Sequence, residues 1–187
     1  MNPLLFEVPL QIETERLILR APHKVGDGEI VNQAIIDSLY ELKPWLLFAQ
    51  ELPTVEETEI NLREAYINFL KRESFRFLIF DKDSNDFIGV TSFDNIDWDI
   101  PKSEIGYWIN TSYSGKGYMT EAVKELVDYG LDSLNFRRIE IRCESTNYKS
   151  RAIPERLGFV LEGTLRNEDL SADRRELTDT CVYSVVR

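Results

Sequence analysis

The sequence predicts a mixed α/β (α+β) fold, in which helices pack around a single sheet. Segments with the spacing of strands and segments with the spacing of helices follow one another in the order β-α-α-β-β-β-α-β-α-β-β. The chain has 187 residues, 43% of them hydrophobic, so one core can be buried without disulfides or a structural metal. No internal repeat, low-complexity segment or linker divides residues 1–187, and we predict a single domain.

The first elements are a strand and two helices. Branched residues predict a strand over residues 12–19, and apolar residues at helical spacing predict an amphipathic helix over residues 27–42. A second helix is predicted to begin at Thr54, because Glu57 three residues later completes a capping box, and to stop near Ser74.

From Phe75 onward the pattern becomes extended. Strands are expected at residues 75–80, 87–93 and 104–109, and the turn formers of residues 83–86 join the first two as a hairpin. A long amphipathic helix then follows a glycine-rich turn. The remaining elements are a strand at 138–143, a short helix at 150–157 that ends at Gly158, and strands at 159–165 and 177–186.

The charge balance limits the classes of partner. Lys and Arg total 22 against 33 Asp and Glu, a formal net charge of −11. Binding of nucleic acid needs a concentrated excess of basic residues, so no nucleic-acid partner is expected. The charge favours a cationic or amine partner weakly, and it also serves simply to keep a cytosolic protein soluble.

Cysteine usage and hydropathy indicate a cytoplasmic protein. Cys143 and Cys181 form no CxxC motif and are expected to be reduced thiols. Residues 1–10 lack the basic region and apolar run of a signal peptide, and no segment approaches 18 apolar residues, so no membrane partner is expected. The one imidazole, His23, lies far from every motif, and histidine-based nucleophilic catalysis is not expected.

The glycine-rich turn is the most informative segment, and it consists of Ser114, Gly115, Lys116, Gly117 and Tyr118. A turn of this kind that opens a helix directs several backbone N–H groups and the positive end of the helix dipole at one spot, which predicts a phosphate site. A plain loop is the alternative. The Walker pattern fails because Gly117 follows Lys116, and the Rossmann pattern fails because Thr120 stands where its third glycine is expected.

A second motif lies at the next passage from strand to helix. Asn147 stands three residues before Ser150, and the short helix that follows ends in the pair Gly158-Phe159. With the glycine-rich turn before it, this order and spacing resembles the acyl-CoA-binding half of the GCN5-related N-acetyltransferases (GNAT).

One branch of that superfamily fits best. Residues 104–108 (EIGYW) before the turn and 117–122 (GYMTEA) after it look most like the RimJ/RimL branch, known for acetylating protein N-termini, including those of ribosomal proteins. Residues 14–20 (TERLILR) and 43–45 (KPW) are also typical of this branch.

The resemblance implies the GNAT fold, in which helices flank a single central mixed sheet whose strands are mostly antiparallel. It also implies an acetyltransferase that uses acetyl-CoA as co-substrate and no metal. It implies direct transfer to an amine, preferably the α-amino group of a protein N-terminus. Acetylation of a small polyamine or an aminoglycoside is a second reading, and an inactive CoA-binding sensor or assembly domain is a third. The hydrophobic strand at residues 182–186 could support a homodimer.

The resemblance also implies which residues bind the cofactor. Backbone N–H groups of the turn and of the first helical residues would hold the phosphates, and those residues are Ser114, Gly115, Lys116, Gly117, Tyr118, Met119 and Thr120. Asn147 would bind the pantetheine arm, unless it is a cap or turn residue. Backbone N–H groups near Trp108 and Ile109 could polarise the thioester carbonyl.

Two positions depart from the family pattern. Met119 could crowd the pyrophosphate, unless its side chain points into the core. Pro154 stands where many relatives carry a tyrosine that protonates the leaving thiolate, so Ser150 is the candidate substitute; its alternative role is a helix N-cap.

The acceptor amine must lose a proton, because a free alkylamine with a pKa of about 10 is almost wholly protonated at neutral pH. Glu104, Glu168 and Asp169 are the candidate carboxylates, with solvated surface charge as the alternative for each. Trp45 and Phe48 are candidates for an aromatic wall beside them, or else form a core plug between helices.

Overall fold

The computed structural model describes residues 2–187. The strands are β1 (Gln11–Glu13), β2 (Leu17–Arg20), β3 (Phe75–Asp81), β4 (Phe87–Asp97), β5 (Lys102–Ile109), β6 (Arg138–Glu144), β7 (Val160–Leu170) and β8 (Leu177–Val186). The α-helices are α1 (Asp27–Asp37), α2 (Leu39–Leu42), α3 (Val55–Lys71), α4 (Tyr118–Asp132) and α5 (Tyr148–Arg156). All strands form one sheet in the order β1-β2-β3-β4-β5-β6-β8-β7, which confirms the predicted fold class.

Two predicted elements are divided in the structure. The first predicted strand is two antiparallel strands, because Thr14 closes a tight turn through hydrogen bonds between its backbone N–H and the Leu17 carbonyl and between its Oγ1 and the Leu17 N–H. The first predicted helix is α1 followed by α2. It breaks at Ser38, which leaves helical geometry while its Oγ accepts a hydrogen bond from the N–H of Thr111.

The capping box of α3 is confirmed. The Thr54 side chain accepts from the N–H of Glu57, and the Glu57 carboxylate accepts from the N–H of Thr54 at 2.8 Å. The helix ends one turn earlier than Ser74, because Arg72 adopts the left-handed conformation with φ of 65°. Left-handed backbone at this position is a common way for a helix to stop.

Helices cover both faces of the sheet. Along β3, Phe77 and Ile79 belong to the core cluster that α4 completes, whereas Leu78 and Phe80 belong to the cluster that α1 and α3 complete. Successive side chains of a strand point to opposite faces, so odd positions of β3 face α4 and even positions face α1. α3 contributes to both clusters, because its Leu62 belongs to the second, whereas Phe69 near its end packs in the first. Among residues 2–187, no helix combines the length and apolar character needed to cross a membrane.

The strand at residues 182–186 is not an open edge. It lies within β8, which is paired to β6 on one side and to β7 on the other. Strand pairing between two copies of the chain would therefore have to use β7 or β1, the outer strands of the sheet.

The pairing of β5 with β6 is parallel and short. It comprises three residue pairs and ends at Glu104 opposite Glu140, although β5 continues to Ile109 and β6 continues to Glu144. β5 remains paired with β4 as far as Gly89 opposite Ile109. The strands β5 and β6 therefore part beyond Glu104, and a gap opens in the middle of the sheet.

Gly89 keeps β4 against the outer end of β5. A Cβ atom at this position would lie 2.4 Å from the Trp108 carbonyl oxygen and 3.0 Å from the Ile109 Cα. We expect Gly89→Ala to lower the free energy of unfolding by about 1–3 kcal/mol, the usual cost of overpacking, as measured by urea denaturation.

Gly163→Ala is the matched control, because a Cβ atom in this β7 glycine would meet no atom within 4 Å. Its effect should stay within about 0.5 kcal/mol. Equal stability of the two variants would contradict the close approach of β4 to β5.

Candidate active site

The glycine-rich turn forms an exposed anion-binding loop. Gly115 and Gly117 have φ of 77° and 81°, values that favour glycine, and α4 begins directly afterwards at Tyr118. The backbone N–H groups of residues 115–120 donate no hydrogen bond to any group within residues 2–187. Free N–H groups at the positive end of a helix are the groups that hold phosphate, so the turn fits the phosphates of CoA.

A clamp that the sequence analysis missed holds this turn. The Glu121 carboxylate accepts hydrogen bonds from the Thr14 hydroxyl and from the backbone and Nε of Arg16. The Arg16 guanidinium also donates to the Lys116 carbonyl at 3.2 Å and lies 4.4 Å from the centroid of the Tyr118 ring. The partners are at least 100 residues apart in sequence, so local pattern gives no sign of the clamp.

The charge of Glu121 is maintained by this clamp. Burial alone would raise its pKa, but the hydrogen bonds from Thr14 and Arg16 outweigh burial and lower the pKa of the carboxyl below its ordinary value. An ionised Glu121 also interacts favourably with the N-terminal end of α4.

Two predicted cofactor residues have side chains directed away from the turn. Met119 is buried in the core, 5% exposed, so its side chain does not crowd the face where the free N–H groups lie. The Lys116 ammonium donates to the Ser112 carbonyl at 2.9 Å and lies 5.1 Å from the Tyr113 ring centroid. On the face of the turn that carries the free N–H groups, both residues therefore expose their backbone and not their side chains.

The gap between β5 and β6 exposes backbone from only alternate residues. The N–H of Asn110 bonds to the Ile88 carbonyl of β4, and N–H directions alternate along a strand. The N–H of Trp108 therefore points to β4, whereas that of Ile109 points into the gap. Of the two predicted carbonyl-polarising groups, the geometry favours Ile109.

Asn147 and Ser150 meet the gap at the start of α5. Asn147 is the N-cap, and its Oδ1 accepts from the Ser150 N–H at 3.1 Å. Ser150 is therefore not the cap, which removes that alternative for its hydroxyl. Its Oγ lies 3.3 Å from the hydroxyl of Tyr107, a residue that the sequence analysis did not select. Pro154 is buried within the same helix.

Cys143 lines the same region but is not a nucleophile at neutral pH. Burial raises the pKa of its thiol to about 11, so the thiol stays protonated. The Ser150 side chain opposes this shift, because it lowers the pKa of the thiol.

A cavity of about 530 Å³ lies beside Glu104, where β5 and β6 part, and Cys143 also lines it. Trp45, Glu104, Arg142, Asp169 and Arg174 are among the residues that line it. Of the two residues predicted to form an aromatic wall, Trp45 lines the cavity. The ring centroid of Phe48 lies 6.1 Å from that of Trp108. The role of both in binding the acceptor stays a prediction.

The three candidate carboxylates differ in environment. Burial raises the pKa of Glu104, opposed by a hydrogen bond from Asn95 and by the charge of Arg142. Glu168 forms an ion pair with Arg142 at 2.8 Å. Asp169 is exposed and accepts a hydrogen bond from the N–H of Leu170.

Metal ligation does not explain this cluster of carboxylates. Across residues 2–187, no group of three or more His, Cys, Asp or Glu side chains is arranged to hold a metal ion.

Comparison with known proteins agrees with this geometry. A family model described as "Acetyltransferase (GNAT) domain" matches residues 16–160. The chain is 36% identical to "Putative ribosomal N-acetyltransferase YdaF" of Bacillus subtilis (strain 168) over 145 residues, 75% of this chain and 76% of that protein. It is 31% identical to the ribosomal-protein-serine acetyltransferase of Escherichia coli (strain K12) over 146 residues, 74% of this chain and 80% of that protein.

Solved structures include a similar chain. The microcin C7 self immunity acetyltransferase MccE, determined in complex with acetyl-CoA and AMP, has a TM-score of 0.88 at 25% identity, and the match covers 96% of this chain and 98% of that chain. The family model covers the glycine-rich turn, both strands of the gap and the start of α5. The chain therefore belongs to the GNAT family of acetyltransferases.

Proposed function

We propose that this acetyl-CoA-dependent N-acetyltransferase acts in the cytoplasm on the α-amino group of a protein N-terminus, with a ribosomal protein as the preferred class of acceptor. The observation that carries the proposal is the cavity at the acceptor end of the gap, where Trp45 and Asp169 flank Glu104. An aromatic wall beside carboxylates suits an ammonium group attached to an extended chain. The printed names of two relatives point to the same acceptor class.

The proposed reaction is direct transfer. Glu104 takes the proton of the acceptor ammonium, directly or through water, and the amine nitrogen forms a bond to the thioester carbon. The Ile109 N–H, together with other backbone groups of the gap, stabilises the oxyanion. The carbon–sulfur bond then breaks and its electron pair goes to sulfur, while the nitrogen loses its second proton to water or to the departing thiolate. The Ser150 hydroxyl stabilises that thiolate by donating a hydrogen bond to it.

The acceptor class can be tested by thiol release. We expect purified protein with acetyl-CoA to release CoA when given peptides that begin with Ser, Ala or Thr, because such peptides carry a free α-amino group. Spermidine and an aminoglycoside form the small-amine arm, and the same peptides with a blocked N-terminus are the matched control. Release with small amines alone would replace the proposed acceptor class by the second reading.

Glu104 gives the reaction a pH signature. Its pKa is raised, chiefly by burial, and Asp94 and Glu140 raise it further while Arg142 and Asn95 lower it. A base acts as the carboxylate, so activity should fall as the pH drops through a pKa above the ordinary 4.5.

We expect Glu104→Gln to lower kcat/KM by about 10²-fold or more and to remove that limb of the pH profile. Glu168→Gln and Asp169→Asn are the comparison variants, and both should keep the limb. If Asp169→Asn alone removes it, Asp169 is the base and our assignment is wrong.

Ser150 is tested separately. We expect Ser150→Ala to lower kcat by about 10²-fold with little change in the KM for acetyl-CoA, because its hydroxyl acts on the sulfur only as the bond breaks. Ser133→Ala, at an exposed serine that follows α4, is the control and should leave both parameters unchanged. An unaltered kcat for Ser150→Ala would remove this serine from the mechanism.

A further inference from the structure

Tyr107 is a tyrosine whose phenol contacts Ser150, the residue at the proposed leaving-group site. It lies on β5 beyond the last pair with β6, and its side chain points to the face that α4 and α5 cover, since Ile105 two residues earlier is in that core. Tyr107 itself is half-buried and packs against the same core.

Two contacts join Tyr107 to Ser150. The phenol donates a hydrogen bond to the Ser150 backbone carbonyl at 2.8 Å, and the Ser150 Oγ donates to the phenol oxygen at 3.3 Å. The first bond has ordinary length and the second is long, so the second is the weaker of the two. The hydroxyl proton of Ser150 can therefore turn to another acceptor at small cost while the serine stays in place.

We propose that Tyr107 is a positioning residue for the acetyl transfer, which holds the Ser150 hydroxyl in the rotamer that faces the gap between β5 and β6. The inference rests on the proposed function, in which Ser150 acts on the departing thiolate. Tyr107 thus orients Ser150, the residue at the leaving-group site, from strand β5. In this chain α5 has Pro154 at the position where many relatives carry the tyrosine acid.

The phenol acts as a neutral group. Burial raises the pKa of Tyr107 well above its ordinary value, so it does not ionise in the pH range where an amine acceptor reacts. A phenol this weak as an acid delivers no proton to a thiolate at neutral pH. Its contribution is to fix the orientation of Ser150, whose Oγ would otherwise rotate among staggered rotamers.

A double-mutant cycle separates this role from a structural one. Tyr107→Phe removes both contacts, one to the hydroxyl and one to the carbonyl that belongs to the first turn of α5. In the Ser150→Ala background the hydroxyl is absent, and only the carbonyl contact is left for Tyr107→Phe to remove. An effect on kcat that needs the hydroxyl must therefore vanish in that background.

We expect Tyr107→Phe to lower kcat about fivefold, the effect of one neutral hydrogen bond, with less than a twofold change in the KM for acetyl-CoA. In Ser150→Ala enzyme the same substitution should change kcat by less than twofold. Tyr129→Phe is the matched control, because the buried Tyr129 hydroxyl has no hydrogen-bond partner among residues 2–187, and its kcat should equal that of the parent.

Thermal unfolding of all five proteins checks their folding. If Tyr107→Phe lowers kcat equally in both backgrounds, Tyr107 supports α5 through the carbonyl and the inference is wrong. An unchanged kcat in Tyr107→Phe, with a fall in Ser150→Ala, also overturns the inference and leaves the proposed function standing. An unchanged kcat in Ser150→Ala removes Ser150 from the mechanism and overturns the inference, whereas no thiol release by the parent with any acceptor overturns the proposed function.

Discussion

The parting of β5 and β6 is the constraint on which the active site depends. Every other pair of neighbouring strands in the sheet is antiparallel, and this one parallel pair ends at Glu104 opposite Glu140. Backbone groups of β5 beyond that point have β4 on one side and an open gap on the other. Unpaired backbone inside a sheet is costly unless water or a ligand satisfies it. The gap is therefore a binding site that the fold itself creates, before any side chain is considered.

The residues of the proposed site lie at both ends of that gap and on both faces of the sheet around it. The glycine-rich turn directly follows β5, and the clamp from Arg16 and Thr14 to Glu121 ties the turn and the start of α4 to the turn between β1 and β2. Asn147 caps α5 and so brings Ser150 to the gap from the other side. The residues that hold the glycine-rich turn are at least 100 residues from their partners in sequence, whereas Asn147 lies only three residues before Ser150. A rigid sheet lets them act as one site, because each is fixed to a strand or to the first turn of a helix.

The sequence was sufficient for the fold class, the glycine-rich turn and the capping box, since each depends on contacts within a few residues or on periodicity. Ser38 was not recognisable as a break, because its Oγ is held by the N–H of Thr111, 73 residues later. In the sequence Tyr107 looks like an ordinary aromatic residue of a strand, because its contact with Ser150 depends on how α5 packs against β5. The candidate carboxylates could be named but not ranked, because burial, the Asn95 contact and the pairing of Glu168 with Arg142 are all tertiary.

The placement of the groups around the sheet also bears on how the acetyl group moves. Glu104 lies at an even position of β5 and Tyr107 at an odd one, so the proposed base and the leaving-group side are on opposite faces. An amine that approaches past Glu104 and a thiolate that departs beside Ser150 are thus aligned through the gap, with the reacting carbon between them. A covalent enzyme intermediate would need a nucleophile there, and Cys143, whose pKa of about 11 keeps it a thiol, is unsuited to that part. This arrangement supports the proposed direct transfer within a single ternary complex.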